Sequence, residues 1–191
     1  MITPRYIIDN LSEQVRKPFI YWTKYMEDNL SFNLIDSGIH AKSHSERVLL
    51  YALTIGEKIL GHAKTDLCIL AHAAIFHDTR RNDDWLDVGH GSRAASYYMK
   101  YCKINNDITF MTPASLIMEY HDRDDKTGIN AITRYVPDDV ERTIRLYRIF
   151  KDADALDRFR LRPDGLDARF IRNQEAKLLV DFARDLVKRT M

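Results

Sequence analysis

Cysteine, proline and glycine are all scarce in this chain of 191 residues, at two, five and seven respectively. Cys68 and Cys102 stand in apolar helical contexts without C-x-x-C spacing. This argues against a disulfide framework or a thiolate zinc site and leaves them as reduced packing residues. So few glycines and prolines disfavour a turn-rich architecture and favour long helices. Charge of one sign is missing too. A net charge of +1 speaks against a chain held to nucleic acid or an anionic membrane by bulk electrostatics, so nucleic acid is not an expected partner. No apolar run reaches the length a bilayer needs, and no basic segment followed by an apolar stretch opens the chain. Cytoplasmic location without membrane association is therefore the expectation. The lack of a Walker-type glycine-rich loop disfavours an ATP-driven motor or kinase.

What is present is helical periodicity. Apolar residues recur every three to four positions over residues 5–30, including Tyr6, Leu11, Val15, Phe19, Trp22 and Met26, which predicts an amphipathic helix kinked or divided at Pro18. A loop is expected over 31–38. A second helix is expected from Ala41 to the stop at Gly61, and a third from Thr65, apolar almost all round through Phe76 and ending on His77 and Asp78. Residues 79–88 read as an exposed polar loop. Further helices are expected over 91–102, then from Thr112-Pro113 with Thr capping, delivering His121. A polar loop with Gly128 follows, and the next helix runs from Pro137 through Asp154. After a turn at Pro163-Asp164-Gly165, a last helix over 166–188 carries Phe170, Leu178, Phe182 and Leu186 on one face. No strand-like alternation of useful length occurs. The expectation is one all-α domain spanning 1–191, a bundle of about six to eight helices.

The polar residues that interrupt this pattern carry the chemistry. All seven histidines fall between positions 40 and 121. A lone helical histidine is more often a core or surface residue than a ligand, which is how His62 and His72 are read. His77-Asp78 is different, because an ionisable pair closing an apolar helix is costly unless it is paired or bound to metal. Along residues 152–157, a period of about 3.6 puts Asp154, Asp157 and Arg158 on one face and Asp152 nearly opposite. Asp154 and Asp157 are both candidates for a site, or else partners of Arg158 and Lys151 in ion pairs, and Asp152 is expected to be dispensable for catalysis. In chain order, His44, His77-Asp78 and Asp154 supply the imidazole and carboxylate ligands of an open, hydrolytic metal site.

That order resembles the HD-domain superfamily of metal-dependent phosphohydrolases, whose signature is a histidine on one helix, a His-Asp doublet ending the next, and a distant aspartate. The run Gly38-Ile39-His40-Ala41-Lys42-Ser43-His44-Ser45-Glu46-Arg47-Val48 looks like the first motif, and Ala153-Asp154-Ala155-Leu156-Asp157 looks like the last. The resemblance spans residues 38–161. It implies an all-helical bundle of the HD-domain type, with the N-terminal and C-terminal helices packed on a metal-site core. Residue by residue, it implies that His44, His77, Asp78 and Asp154 bind one divalent cation, Asp78 being placed to bridge to a second. His90 and His121 match the order of two further histidines that some members carry, which leaves open a second cation or a phosphate-contacting pair. Several relatives carry Glu or Glu-Asp just beyond the doublet. Here Arg81 and Asn82 stand there, so the acid-base residue is not carried across.

The expected function is hydrolysis of a phosphate ester or anhydride of a nucleotide or related small phosphorylated molecule. One or two ions of manganese, magnesium, cobalt, nickel, iron or zinc would support it. Asp78, Asp83 and Asp84 are the candidate proton acceptors. Arg47, Arg80, Arg81, Lys151 and Arg158 are the candidate phosphate-binding cations, each against the plainer reading of a solvated charge. The alternative is a nucleotide- or metal-binding regulatory module with little or no turnover. A homodimer through the first helix and its Trp22 is a further expectation, internal burial of the same residues being the competing one.

Overall fold

The computed structural model describes residues 1–35 and 37–191; residue 36, within the loop expected over 31–38, lies outside the described residues. Every regular element among the described residues is helical, as expected. In order these are α1 (Arg5–Asp9), α2 (Glu13–Asn29), α3 (Lys42–Leu60), α4 (Lys64–Phe76), α5 (His90–Ile104), α6 (Thr112–Tyr120), α7 (Asp125–Tyr135), α8 (Val140–Leu156), α9 (Gln174–Lys177) and α10 (Val180–Thr190). None of the described helices is long and apolar enough to cross a membrane.

The apolar helix α4 lies at the centre because it has no polar face to turn to water; residues from Ile69 through Phe76 are all buried. It packs against α3, α2, α6 and α8, and α8 in turn covers α3. One continuous core runs from Ile8 on α1 to Val187 on α10. Helix α4 stops after Phe76, whose carbonyl accepts from the Thr79 amide at 3.1 Å and hydroxyl at 2.7 Å. Helix α3 ends at Gly61, where φ is +61° and a side chain would be strained.

Four local expectations are corrected. Pro18 lies inside α2, and the break falls at residues 10–12, where Ser12 accepts from the Val15 amide at 3.2 Å and starts a new helix. The supposed loop around Gly128 is α7. Asp124 caps it through the Thr127 amide at 2.9 Å, and Gly128 supplies the clearance for the Tyr147 ring, which a Cβ there would strike. Thr112 does not cap α6, since Met111 holds that position without a side-chain bond.

The long last helix is divided into a 3-10 turn (Ala168–Phe170), α9 and α10, leaving Phe170 and Leu178 exposed. The cause is Asp152. Its fully buried carboxylate accepts from the Arg172 amide at 2.9 Å and the Asn173 amide at 2.8 Å, drawing the chain out of helical geometry.

Candidate metal centre

The ends of five helices meet at one place. His44 lies in the first turn of α3, His77 caps the C-terminus of α4, His90 opens α5, His121 caps α6, and Asp154 lies in the last turn of α8. The C-termini of α4, α6 and α8 bring negative dipole ends to this point, and the N-termini of α3 and α5 bring positive ones.

The six sequence candidates for a metal site are brought together around Asp78. His44 Nε2 stands 3.5 Å from Asp78 Oδ2 and 3.3 Å from Asp154 Oδ1. The other oxygen of the doublet carboxylate, Asp78 Oδ1, faces His90 Nε2 at 3.1 Å, His121 Nε2 at 3.7 Å and His77 Nε2 at 3.9 Å.

Proton placement decides what this cluster can do. His77 Nδ1 donates to the Ala74 carbonyl at 2.9 Å, His90 Nδ1 to the Asp87 carbonyl at 2.6 Å and His121 Nδ1 to the Met118 carbonyl at 2.6 Å. His44 Nδ1 donates to Asp157 Oδ2 at 2.8 Å. Carbonyl and carboxylate oxygens accept here, so each ring carries a proton on Nδ1 and turns Nε2 inwards. Two of these Nε2 atoms meet at 3.0 Å, His44 against His77, and two at 2.8 Å, His90 against His121. Nitrogens at that separation require a proton or a metal ion shared between them. Asp78 Oδ1, fully buried, has no hydrogen-bond donor among the described residues, which is costly for a carboxylate.

His44, His77 and Asp154 form one group that can hold a metal ion, and His77, Asp78 and His121 form another. The outward hydrogen bonds from Nδ1 are the supports that orient imidazoles towards a metal.

Burial and charge act differently on the members of the cluster. Burial pushes the His77 imidazole down to about 3, so it is neutral and available as a ligand. Burial also opposes the charges of Asp78 and Asp154, but the surrounding histidines prevail and hold both carboxyls well below the usual range. His121 moves up. Desolvation works against its charge and is outweighed by Asp78 and Asp154.

Asp78, His90, His121 and Asp154 line a cleft of about 840 Å³, while His44 and His77 are fully buried and do not reach its wall. Of the expected cations, Arg81, Lys151 and Arg158 line it, as does Asp84. Three expectations are corrected. Arg47 is fully buried behind His44, its Nε donating to Asp157 Oδ1 at 2.6 Å and its Nη2 to Asp157 Oδ2 at 3.0 Å, so it supports the cluster from outside the cleft. Arg80 stacks over Tyr97 at 3.3 Å and donates to the Ser31 carbonyl, away from the cleft. Asp83 is exposed and accepts from the Trp85 amide at 2.8 Å, a local turn contact. The segment 79–88 is also less exposed than its composition predicts, since Thr79 and Arg81 are buried.

Two cleft residues had no place in the sequence reading. Asp122 follows His121, accepts from the Gly89 amide at 2.6 Å and leaves Oδ1 buried without a donor among the described residues. His40 donates from Nδ1 to Asp84 at 2.9 Å, and burial pushes its imidazole down to about 4. Their neighbours on the motif runs, His44 and His121, were the available signal.

Comparison of the chain with family profiles, with curated proteins and with solved structures returns no match.

Proposed function

We propose that this protein is a metal-dependent phosphohydrolase that cleaves a phosphate ester or anhydride of a nucleotide or related small phosphorylated molecule. The observation that carries the reading is the convergence of four inward-facing Nε2 atoms on Asp78 and Asp154, each ring donating outwards from Nδ1. The resemblance of the motif order to the HD-domain superfamily supports it independently.

The donor set of four imidazoles and two carboxylates, without sulfur, fits a divalent transition ion better than magnesium, which prefers oxygen ligands. His44, His77, Asp78 and Asp154 would hold one cation, and Asp78, His90 and His121 a second. A bound divalent ion at such a site supplies charge neutralisation for a phosphoryl group and acidifies water. The chain's own residues do the rest. Arg158, exposed on the cleft wall, is placed to orient phosphoryl oxygens, whereas Lys151 donates to the carbonyls of His121 and Arg123 and Arg81 to those of Asp83 and Trp85. Asp122 borders the cleft, but its Oδ1 is buried beside Arg123 Nε at 3.5 Å and its Oδ2 accepts from Gly89. Asp84 is a weak base, because hydrogen bonds from Ser37 and then His40 hold its carboxyl low.

The test is phosphate and pyrophosphate release from nucleotides and simple phosphate esters by metal-free protein. Each of manganese, magnesium, cobalt and nickel is then restored in turn, with Asp78→Ala as control. Metal-dependent release lost in the variant is expected. Tight metal binding without release from any compound would overturn the hydrolase and leave a metal- or nucleotide-binding regulatory module.

A further inference from the structure

The mouth of the cleft carries aromatic surface that no other part of the fold covers. Trp85 is 86% exposed, Leu86 89% and Phe170 70%, and all three line the same cleft as Asp78 and Asp154. They come from two separate segments, the loop between α4 and α5 and the 3-10 turn before α9.

The Trp85 backbone is firmly held. Its carbonyl accepts from Arg81 Nη2 at 2.6 Å and from the Asp87 amide at 3.0 Å, and its amide donates to Asp83 at 2.8 Å. Arg81 is itself buried. A large ring left in solvent on an anchored backbone, at the rim of a site, marks a binding surface better than a slack loop tip does.

Charge alone gives this cleft little selectivity among phosphate compounds. Seven Arg and Lys side chains line it and seven Asp side chains oppose them. Discrimination therefore falls to whatever the substrate carries beyond its phosphate. The cleft, about 840 Å³, is of the size that takes one small molecule.

We propose that the cleft selects phosphate compounds bearing a flat aromatic ring, such as a nucleobase, with the ring held against Trp85 and Phe170 while the phosphate lies towards the histidine cluster. This rests on the phosphohydrolase reading above. Two aromatic faces favour a planar partner through stacking, which tolerates differences in ring identity.

The chain has two tryptophans, so Trp22→Phe leaves Trp85 as the only indole emitter. This protein, loaded with manganese, is titrated with adenosine 5′-monophosphate and, separately, ribose 5-phosphate. The expected result is a change in Trp85 emission with the first ester alone, and a KM for it about tenfold lower than for the second. Trp85→Ala should collapse that preference by raising KM for the aromatic ester, with kcat little changed, while Trp85→Phe keeps it.

Hydrolysis of both esters with equal KM and silent emission overturns this inference while the hydrolase stands. Emission that responds to the aromatic ester without hydrolysis of either supports the aromatic mouth while the hydrolase falls. Emission that shifts with protein concentration alone assigns the patch to a contact between copies and overturns the inference.

Discussion

His44 and Arg47 share one carboxylate. Asp157 receives His44 Nδ1 on Oδ2 at 2.8 Å and Arg47 across both oxygens, at 2.6 and 3.0 Å, and all three side chains are fully buried. One residue thereby orients a candidate ligand and neutralises a guanidinium that has no route to water.

Asp157→Ala is therefore expected to strand Arg47 and to destabilise the fold by about 3–5 kcal/mol, the cost of breaking a buried ion pair on one side. Asp157→Asn keeps the shape and should lower metal affinity about 10- to 100-fold through His44. Urea denaturation and metal titration calorimetry measure the two effects. Unchanged affinity in the Asn variant would remove Asp157 from the support of the site.

The two candidate metal positions make separable predictions. His121→Ala should lose one bound ion and retain the other, whereas His77→Ala, which belongs to both groups, should lose both. Elemental analysis after dialysis gives the stoichiometry. Equal metal content in wild type and His121→Ala would leave only the site of His44, His77 and Asp154.

Asp152 and Asp154 lie two residues apart and have opposite expected phenotypes. Asp154→Ala should remove metal binding and activity with the helical fold kept. Asp152→Ala frees the amides of Arg172 and Asn173 and leaves the Arg172 guanidinium to Asp125 alone, an expected loss of about 3 kcal/mol of stability. Circular dichroism melts of both variants distinguish them. A fully stable Asp152→Ala would show that the segment before α9 is held by its apolar contacts.

His72 predicts a loss of stability in mild acid. It is buried between Trp22 and Tyr98, and burial pushes its imidazole from 6.5 to about 4. Between those values the unfolded chain binds more protons than the folded one. The contribution of His72 is thus complete above pH 6.5 and declines as pH falls towards 4. From pH 7 to pH 5 the loss is about 2 kcal/mol. Urea unfolding at both pH values, in wild type and His72→Gln, should show a smaller pH effect in the variant. Equal effects would assign the acid sensitivity elsewhere.

How much of this was legible in the sequence depended on how local the cause is. Helix α4 could be read directly because Leu67 to Phe76 offers no polar face, and the clustering of His44, His77, Asp78 and Asp154 was anticipated because each sits near a helix end with its own local signal. Arg47 was misread for a physical reason. It lies one turn from His44 on the same face, which is where a phosphate ligand would stand, while its real partner is more than a hundred residues away. The division of the last helix was hidden in the same way, since its cause, Asp152, lies on another element. Helix α7 was missed because Gly128 signals a turn, and only the packing of Tyr147 explains a glycine there.

The link between His44 and Asp157 spans 113 residues of sequence. During synthesis, His44, His77, Asp78, His90 and His121 all leave the ribosome before α8 is complete, so a nascent chain presents five donors while Asp154 and the carboxylate that orients His44 do not yet exist. The finished cluster is thus a product of late, long-range assembly, since all six of its residues can meet only once α8 is in place.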